Sequence, residues 1–88
     1  PPESFELSVS PNPFNASTRL SYQVLEPGTV RIEVFDSRGR RVARLKEAIQ
    51  EPGAYSIMWD AEHVGSGTYF IRLEQSTQSL VQKCVVLK

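Results

Sequence analysis

The sequence predicts an all-β fold, a sandwich of about seven short antiparallel strands. Three observations carry that reading. Apolar and polar residues alternate along most of the chain, Glu-Pro-Gly punctuation occurs at Glu26-Pro27-Gly28 and again at Glu51-Pro52-Gly53, and no segment holds a convincing amphipathic helix. Period-2 alternation sets one face of a strand on a core and the other in water.

Taken in order, Ser4 to Val9 puts Phe5, Leu7 and Val9 on one side. Arg19 to Leu25 aligns Leu20, Tyr22 and Val24, and Thr29 to Asp36 aligns Val30, Ile32 and Val34. Pro27 fixes φ and Gly28 tolerates positive φ, so these two runs read as a hairpin. Asp36-Ser37-Arg38-Gly39-Arg40 predicts a second reversal before a strand over Val42 to Lys46. There Val42 and Leu45 break the alternation, which predicts a bulge or a short edge strand. Lys46 to Gln50 has the look of a helical turn but is too short to stand alone. Ala54 to Asp60 aligns Tyr55, Ile57 and Trp59, and Thr68 to Glu74 aligns Tyr69, Ile71 and Leu73. After a polar connection, Gln75 to Ser79, the last strand runs from Leu80 to Leu87, with Cys84 and Val86 competing against Val85 and Leu87 for the core.

Ser66-Gly67-Thr68-Tyr69-Phe70-Ile71 resembles the start of an immunoglobulin F strand, where a tyrosine bonds its hydroxyl back to upstream backbone two residues before the core cysteine. Ile71 stands in that cysteine's place. The predicted fold is therefore an immunoglobulin-like β-sandwich closed by apolar burial, with Trp59 and Tyr69 as its largest buried pieces.

Eighty-eight residues fit one domain of modest stability. Residues 1–4, Pro-Pro-Glu-Ser, read as a linker cut from something larger, and 5–88 as the domain. Ten Lys and Arg balance ten Asp and Glu, so the chain lacks the basic excess of a nucleic-acid or membrane-surface binder. No run approaches the ~20 apolar residues that span a bilayer. Cys84 is the single cysteine, which excludes an intramolecular disulfide; in an apolar strand it reads as an inert small hydrophobe.

The inventory for chemistry is thin, and neither catalysis nor a cofactor is expected. His63 is the only histidine; beside Asp60 and Glu62 it has no second His or Cys at a metal-ligand spacing and reads as part of a solvated loop. Arg38, Arg40, Arg41, Arg44 and Lys46 hold half of the positive charge. Such a cluster can bind phosphate or an acidic polysaccharide, but without interleaved aromatics it reads better as charge that guards an edge strand. Asn15-Ala16-Ser17 matches the glycosylation sequon, a pattern short enough to arise by chance. Pro11-Asn12-Pro13-Phe14-Asn15 reads as a rigid crossover that pins Phe14 inward.

Five motifs in order, Pro11-Asn12-Pro13-Phe14-Asn15, Arg31 to Asp36 leading to Gly39-Arg40-Arg41-Val42, Trp59-Asp60, Ser66-Gly67-Thr68-Tyr69-Phe70, and Lys83 to Lys88, resemble the C-terminal sorting domain of the type IX secretion system, type A. The pattern is shared in part by the immunoglobulin-like domain of the flagellar hook-capping family, FlgD-like. Those relatives usually carry a longer insertion where only Ala61 to Gly65 intervene here. The resemblance implies a non-catalytic domain at the end of a secreted cargo, read by an outer-membrane translocon, with the protein secreted or held on the bacterial surface after crossing the periplasm. It further implies removal by a sortase-like peptidase, with cleavage in or before Pro1 to Ser4. Pro11, Asn12 and Pro13 correspond to the first family motif, Gly39 to the central turn, Gly67 and Tyr69 to the Gly-x-Tyr motif, and Lys83 and Lys88 to the terminal motif. The two lysines are expected to be free charged ends of the last strand. A second reading is a structural or accessory immunoglobulin-like module of a multidomain extracellular enzyme. A third is a carbohydrate or metal binder built on Trp59, Asp60 and His63.

Overall fold

In the computed structural model, which describes residues 4–88, the chain forms β1 (Leu7–Ser10), β2 (Ser17–Val24), β3 (Gly28–Asp36), β4 (Arg41–Gln50), β5 (Gly53–Asp60), β6 (Gly67–Gln75) and β7 (Gln78–Val86). A three-stranded sheet in the order β1-β2-β5 faces a four-stranded sheet in the order β4-β3-β6-β7, and every pairing within the sheets is antiparallel. This is the expected immunoglobulin-like sandwich of seven strands. Residues 1–3 of the expected linker lie outside the described residues.

The predicted inward rows make the core. Leu20, Tyr22 and Val24 from β2, Val30, Ile32 and Val34 from β3, and Ile71 and Leu73 from β6 are all essentially inaccessible. Burying a side chain of this size stabilises the fold by ~1.5–3 kcal/mol. Thr18 is a buried polar member of the same layer, and its hydroxyl is satisfied by donating to the Pro11 carbonyl at 2.6 Å.

Three expectations are corrected. The hairpin expected between Arg19–Leu25 and Thr29–Asp36 does not form, because β2 pairs with β1 and β5 while β3 pairs with β4 and β6; Glu26-Pro27 carries the chain from one sheet to the other. The first strand is shorter than expected, Leu7–Ser10, with Phe5 packed against the core ahead of it. β4 is longer, running through Lys46 to Gln50, where a helical turn looked feasible. Its irregularity is nonetheless where the sequence put it. Ile32 pairs with Lys46 and Glu33 with Arg44, and then Val34 with Ala43 and Phe35 with Arg41, so Leu45 and Val42 are the unpaired bulge residues. The parity of β7 is decided by β6: Tyr69 lies opposite Cys84 and Leu73 opposite Leu80, which turns Cys84 and Val86 inward.

Candidate functional site

β3, β5 and β7 end at the pole of the sandwich where β2 and β6 begin, so the 11–16 crossover, the 37–40 turn, the 61–66 loop and the Leu87–Lys88 end share that pole. The chain enters at the other pole, where Leu7 pairs with Tyr22. Pro11, Asn12, Pro13, Gly39, Gly67, Tyr69 and Lys88, which lie far apart in sequence, are thus gathered at one end. Lys83 sits slightly further along β7, opposite Phe70.

Asn12 fastens the crossover to β7. Its Nδ2 donates to the Lys83 carbonyl at 3.1 Å, and its Oδ1 accepts from the Val85 amide at 3.0 Å. Two residues later the Phe14 amide donates to the Val85 carbonyl at 3.1 Å, and the Phe14 carbonyl accepts from the Leu87 amide at 2.8 Å. A side-chain amide has the donor and acceptor of a backbone residue, so Asn12 and Phe14 together serve as a strand fragment that covers the outer edge of β7 from Lys83 to Leu87. Pro11 and Pro13 flank this contact and stay exposed.

Phe14 turns inward as expected, and its ring meets the Trp59 edge at 5.6 Å and 68°; Trp59 meets Tyr69 at 5.6 Å and 70°. Trp59 is 2% exposed, which removes it from any sugar-binding platform. Asp60 caps its own loop by accepting from the Glu62 amide at 3.0 Å, and no metal-ligand group of three acidic, His or Cys residues occurs among the described residues.

Tyr69 makes the expected corner: its hydroxyl donates to the Gly65 carbonyl at 2.8 Å. Gly67, between them, has φ 155°, a conformation that costs a side-chain-bearing residue energy even though a Cβ there would sit a harmless 4.0 Å from the Tyr69 ring. Fourteen residues earlier in the chain, the sequence already holds the same device. Gly53 has φ 157°, and the Tyr55 hydroxyl donates to the Glu51 carbonyl at 2.6 Å. The Gly53-Ala54-Tyr55 spelling was a legible signal for this second corner.

The terminal lysines behave differently from each other. Lys83 is exposed on the outer face of the larger sheet, as expected. Lys88 is not a free charge: its ammonium donates to the Ala61 carbonyl at 2.6 Å and the Glu62 carbonyl at 2.9 Å, while its amide donates to Ser66 Oγ at 2.9 Å. The residue closes the 61–66 loop against the end of β7. Nothing in the local sequence announces this contact, because its partners are backbone carbonyls more than twenty residues away.

Gly39, with φ 85°, shapes the 37–40 turn. Around it Asp36 accepts from the Arg40 and Arg38 amides at 3.0 and 2.9 Å and pairs with the Arg40 guanidinium at 3.1 Å. These bonds, led by the Arg40 amide, hold the Asp36 carboxyl below its ordinary pKa against the opposing effect of desolvation. The basic hairpin is mostly neutralised. Glu33, 4% exposed, receives Arg41 at 3.0 Å, Arg44 at 3.3 Å and Arg72 at 3.0 Å. Burial pushes its pKa up, but the bonds from Arg41, Arg72 and Arg44 outweigh that and leave it lowered. Since β4 is an edge strand, this charge is placed where it guards an edge.

The family model described as a secretion system C-terminal sorting domain matches residues 8–87. No curated protein matches the chain.

Proposed function

The chain belongs to the family of secretion system C-terminal sorting domains, and from that membership we propose that it addresses a larger secreted protein to the type IX translocon through the pole that gathers the 11–16, 37–40, 61–66 and 87–88 segments. The domain acts as a signal and not as a catalyst. Its cargo precedes it in the chain, and its destination is the medium or the bacterial surface. A sortase-like peptidase then separates it from the cargo in or before Pro1 to Ser4, and the partial likeness to the hook-capping module reflects a shared sandwich.

The observation that supports this reading best is the junction of the first motif with the last. Asn12 and Phe14 are bonded to Lys83, Val85 and Leu87, so a receptor at this pole meets both as one surface that exists only when the sandwich is folded. Pro11, Asn12, Pro13, Lys83 and Leu87 are exposed on it. In this reading Gly39, Gly67, Tyr69 and Lys88 hold the surface in shape.

The test is a fusion of these residues behind a periplasmic reporter in a bacterium that has the type IX system. The intact fusion should reach the surface or the medium. Lys83→Gln should reduce export while leaving the melting curve within about 0.5 kcal/mol of the parent, because the side chain is exposed and makes no ion pair among the described residues. Lys88→Gln should reduce both export and stability, since it removes two hydrogen bonds from the 61–66 loop. A folded fusion that stays in the periplasm defeats the proposal and favours an accessory module of a multidomain extracellular enzyme.

A further inference from the structure

The two sides of the sandwich are unequally closed. On one side β1 lies against β7. On the other the count of four strands over three leaves β4 with no strand of its own to face beside β5. Burial records the gap: the inward residues of β3 are inaccessible, whereas those of β4, including Ala43, Leu45 and Ala48, are only half-buried, as are Tyr55 and Ile57 on β5.

The free edge of β5 is also the least defended of the four. β1 is four residues long, β4 carries two bulges and three arginine-bearing ion pairs to Glu33 and Glu47, and β7 is covered near its end by Asn12 and Phe14. β5 runs eight regular residues, Gly-Ala-Tyr-Ser-Ile-Met-Trp-Asp, with one charge at its end. Long, regular and uncharged edges are templates for another strand.

Its hydrogen-bonding parity follows from two bonds. The Ala61 amide donates to the Ala16 carbonyl at 2.8 Å, and the Gln23 amide donates to the Glu6 carbonyl at 3.1 Å on the other side of β2. With Ser17 opposite Asp60, alternation directs the backbone groups of Tyr55, Ile57 and Trp59 to β2. Those of Ala54, Ser56, Met58 and Asp60 are left facing the open edge.

Lys46 supplies the chemistry of the occupant. It pairs with Ile32, whose side chain is in the core, so it belongs to the inward row of β4, where it is half-buried. Among the described residues it makes no ion pair, in contrast to Arg41 and Arg44 on the same strand. We propose that the β5 edge, roofed by β4, accepts an extended segment of another protein as a fourth strand of the smaller sheet, with small apolar side chains turned toward Ala43, Leu45 and Ala48 and an acidic side chain meeting Lys46. A second copy of this chain is a poorer occupant, because its own β4 would compete for the space that the first β4 roofs.

The probe is a blocked peptide, Thr-Val-Thr-Glu-Thr-Val-Thr, compared with the same peptide carrying Lys in place of Glu. Amide hydrogen exchange of the whole domain should slow at Ala54, Ser56, Met58 and Asp60 when the Glu peptide is added. The Glu peptide should bind about fivefold more tightly than the Lys peptide, the size of a modest charge pair. Lys46→Gln should remove that preference and keep the binding. Ser56→Pro should abolish binding without harming the fold, since the amide it deletes faces the open edge. If Ser56→Pro fails to fold, the Lys46→Gln comparison still decides. The proposal is overturned if neither peptide slows those amides, if the slowing falls on β4 or β7, or if the domain alone shows it as concentration rises, which would assign the edge to self-association.

Discussion

The two Gly-x-Tyr corners, at opposite poles of the sandwich, share one local design and differ in their surroundings. Each has a glycine near φ 155° and a tyrosine hydroxyl that donates to the carbonyl four residues upstream. Tyr69 is 8% exposed and packs edge-on against Trp59, which in turn holds Phe14. Tyr55 is half-buried and lies stacked on Tyr22, 5.6 Å away, on the less closed side. The corner is therefore a local device that sequence spelling can specify, whereas its contribution to stability is set by what covers the ring.

The largest expected test of this contrast is truncation. Trp59→Ala should cost about 3–5 kcal/mol in urea unfolding, enough to threaten a domain of this size, and Tyr55→Ala about half as much. Equal losses would mean that covering the ring does not matter. Removing only the hydroxyls isolates the corner bond. Tyr69→Phe should cost about 1 kcal/mol because the bond to the Gly65 carbonyl is part-buried, and Tyr55→Phe about 0.5 kcal/mol because the bond to the Glu51 carbonyl is exposed to water.

Cys84 gives a finer readout of the same contrast, since it faces Tyr69 across β6 and β7. Burial pushes its thiol up to about 11, so labelling of the native domain near neutral pH should be far slower than of the unfolded chain. Tyr69→Phe should speed that labelling by loosening the neighbouring strand, and Tyr55→Phe should leave it almost unchanged. Acid provides the smallest effect and a control. Glu33 has a folded pKa below its unfolded value, so its contribution is present above about pH 4.3 and is lost as pH falls through the folded value. Denaturation midpoints should decline on that acid limb, Glu33→Gln should flatten the decline, and the difference between the two Tyr→Phe variants should persist across it.

Much of this fold was legible because β2, β3 and β6 each bury one face. The rows Leu20-Tyr22-Val24, Val30-Ile32-Val34 and Tyr69-Ile71-Leu73 place an apolar residue at every second position, and each lies in the core. β4 was misjudged in length because it is a bulged edge with an inward row only half-buried, so burial exerts little demand on its pattern. The connection after β2 was misjudged because Glu-Pro-Gly reports a turn in the chain but not which sheet receives the next strand. Of the sorting-motif residues, Tyr69 and Gly67 could be assigned roles from local chemistry. The bonds of Asn12 and Lys88 could not, since both depend on backbone groups brought near by the completed sandwich.

The separation of the two ends of the chain sets how the domain answers to force. The described chain starts at one pole and Lys88 sits at the other, in a body whose longest dimension is 37 Å. Tension applied between them draws β1 along β2 in one direction and β7 along β6 in the other, so the hydrogen bonds of each pair are loaded in shear and must yield together. A strand peeled from its end would release them singly. Towed by its motif pole with a cargo behind residue 4, the sandwich would carry the load along its strands, the direction in which a β-sheet resists most.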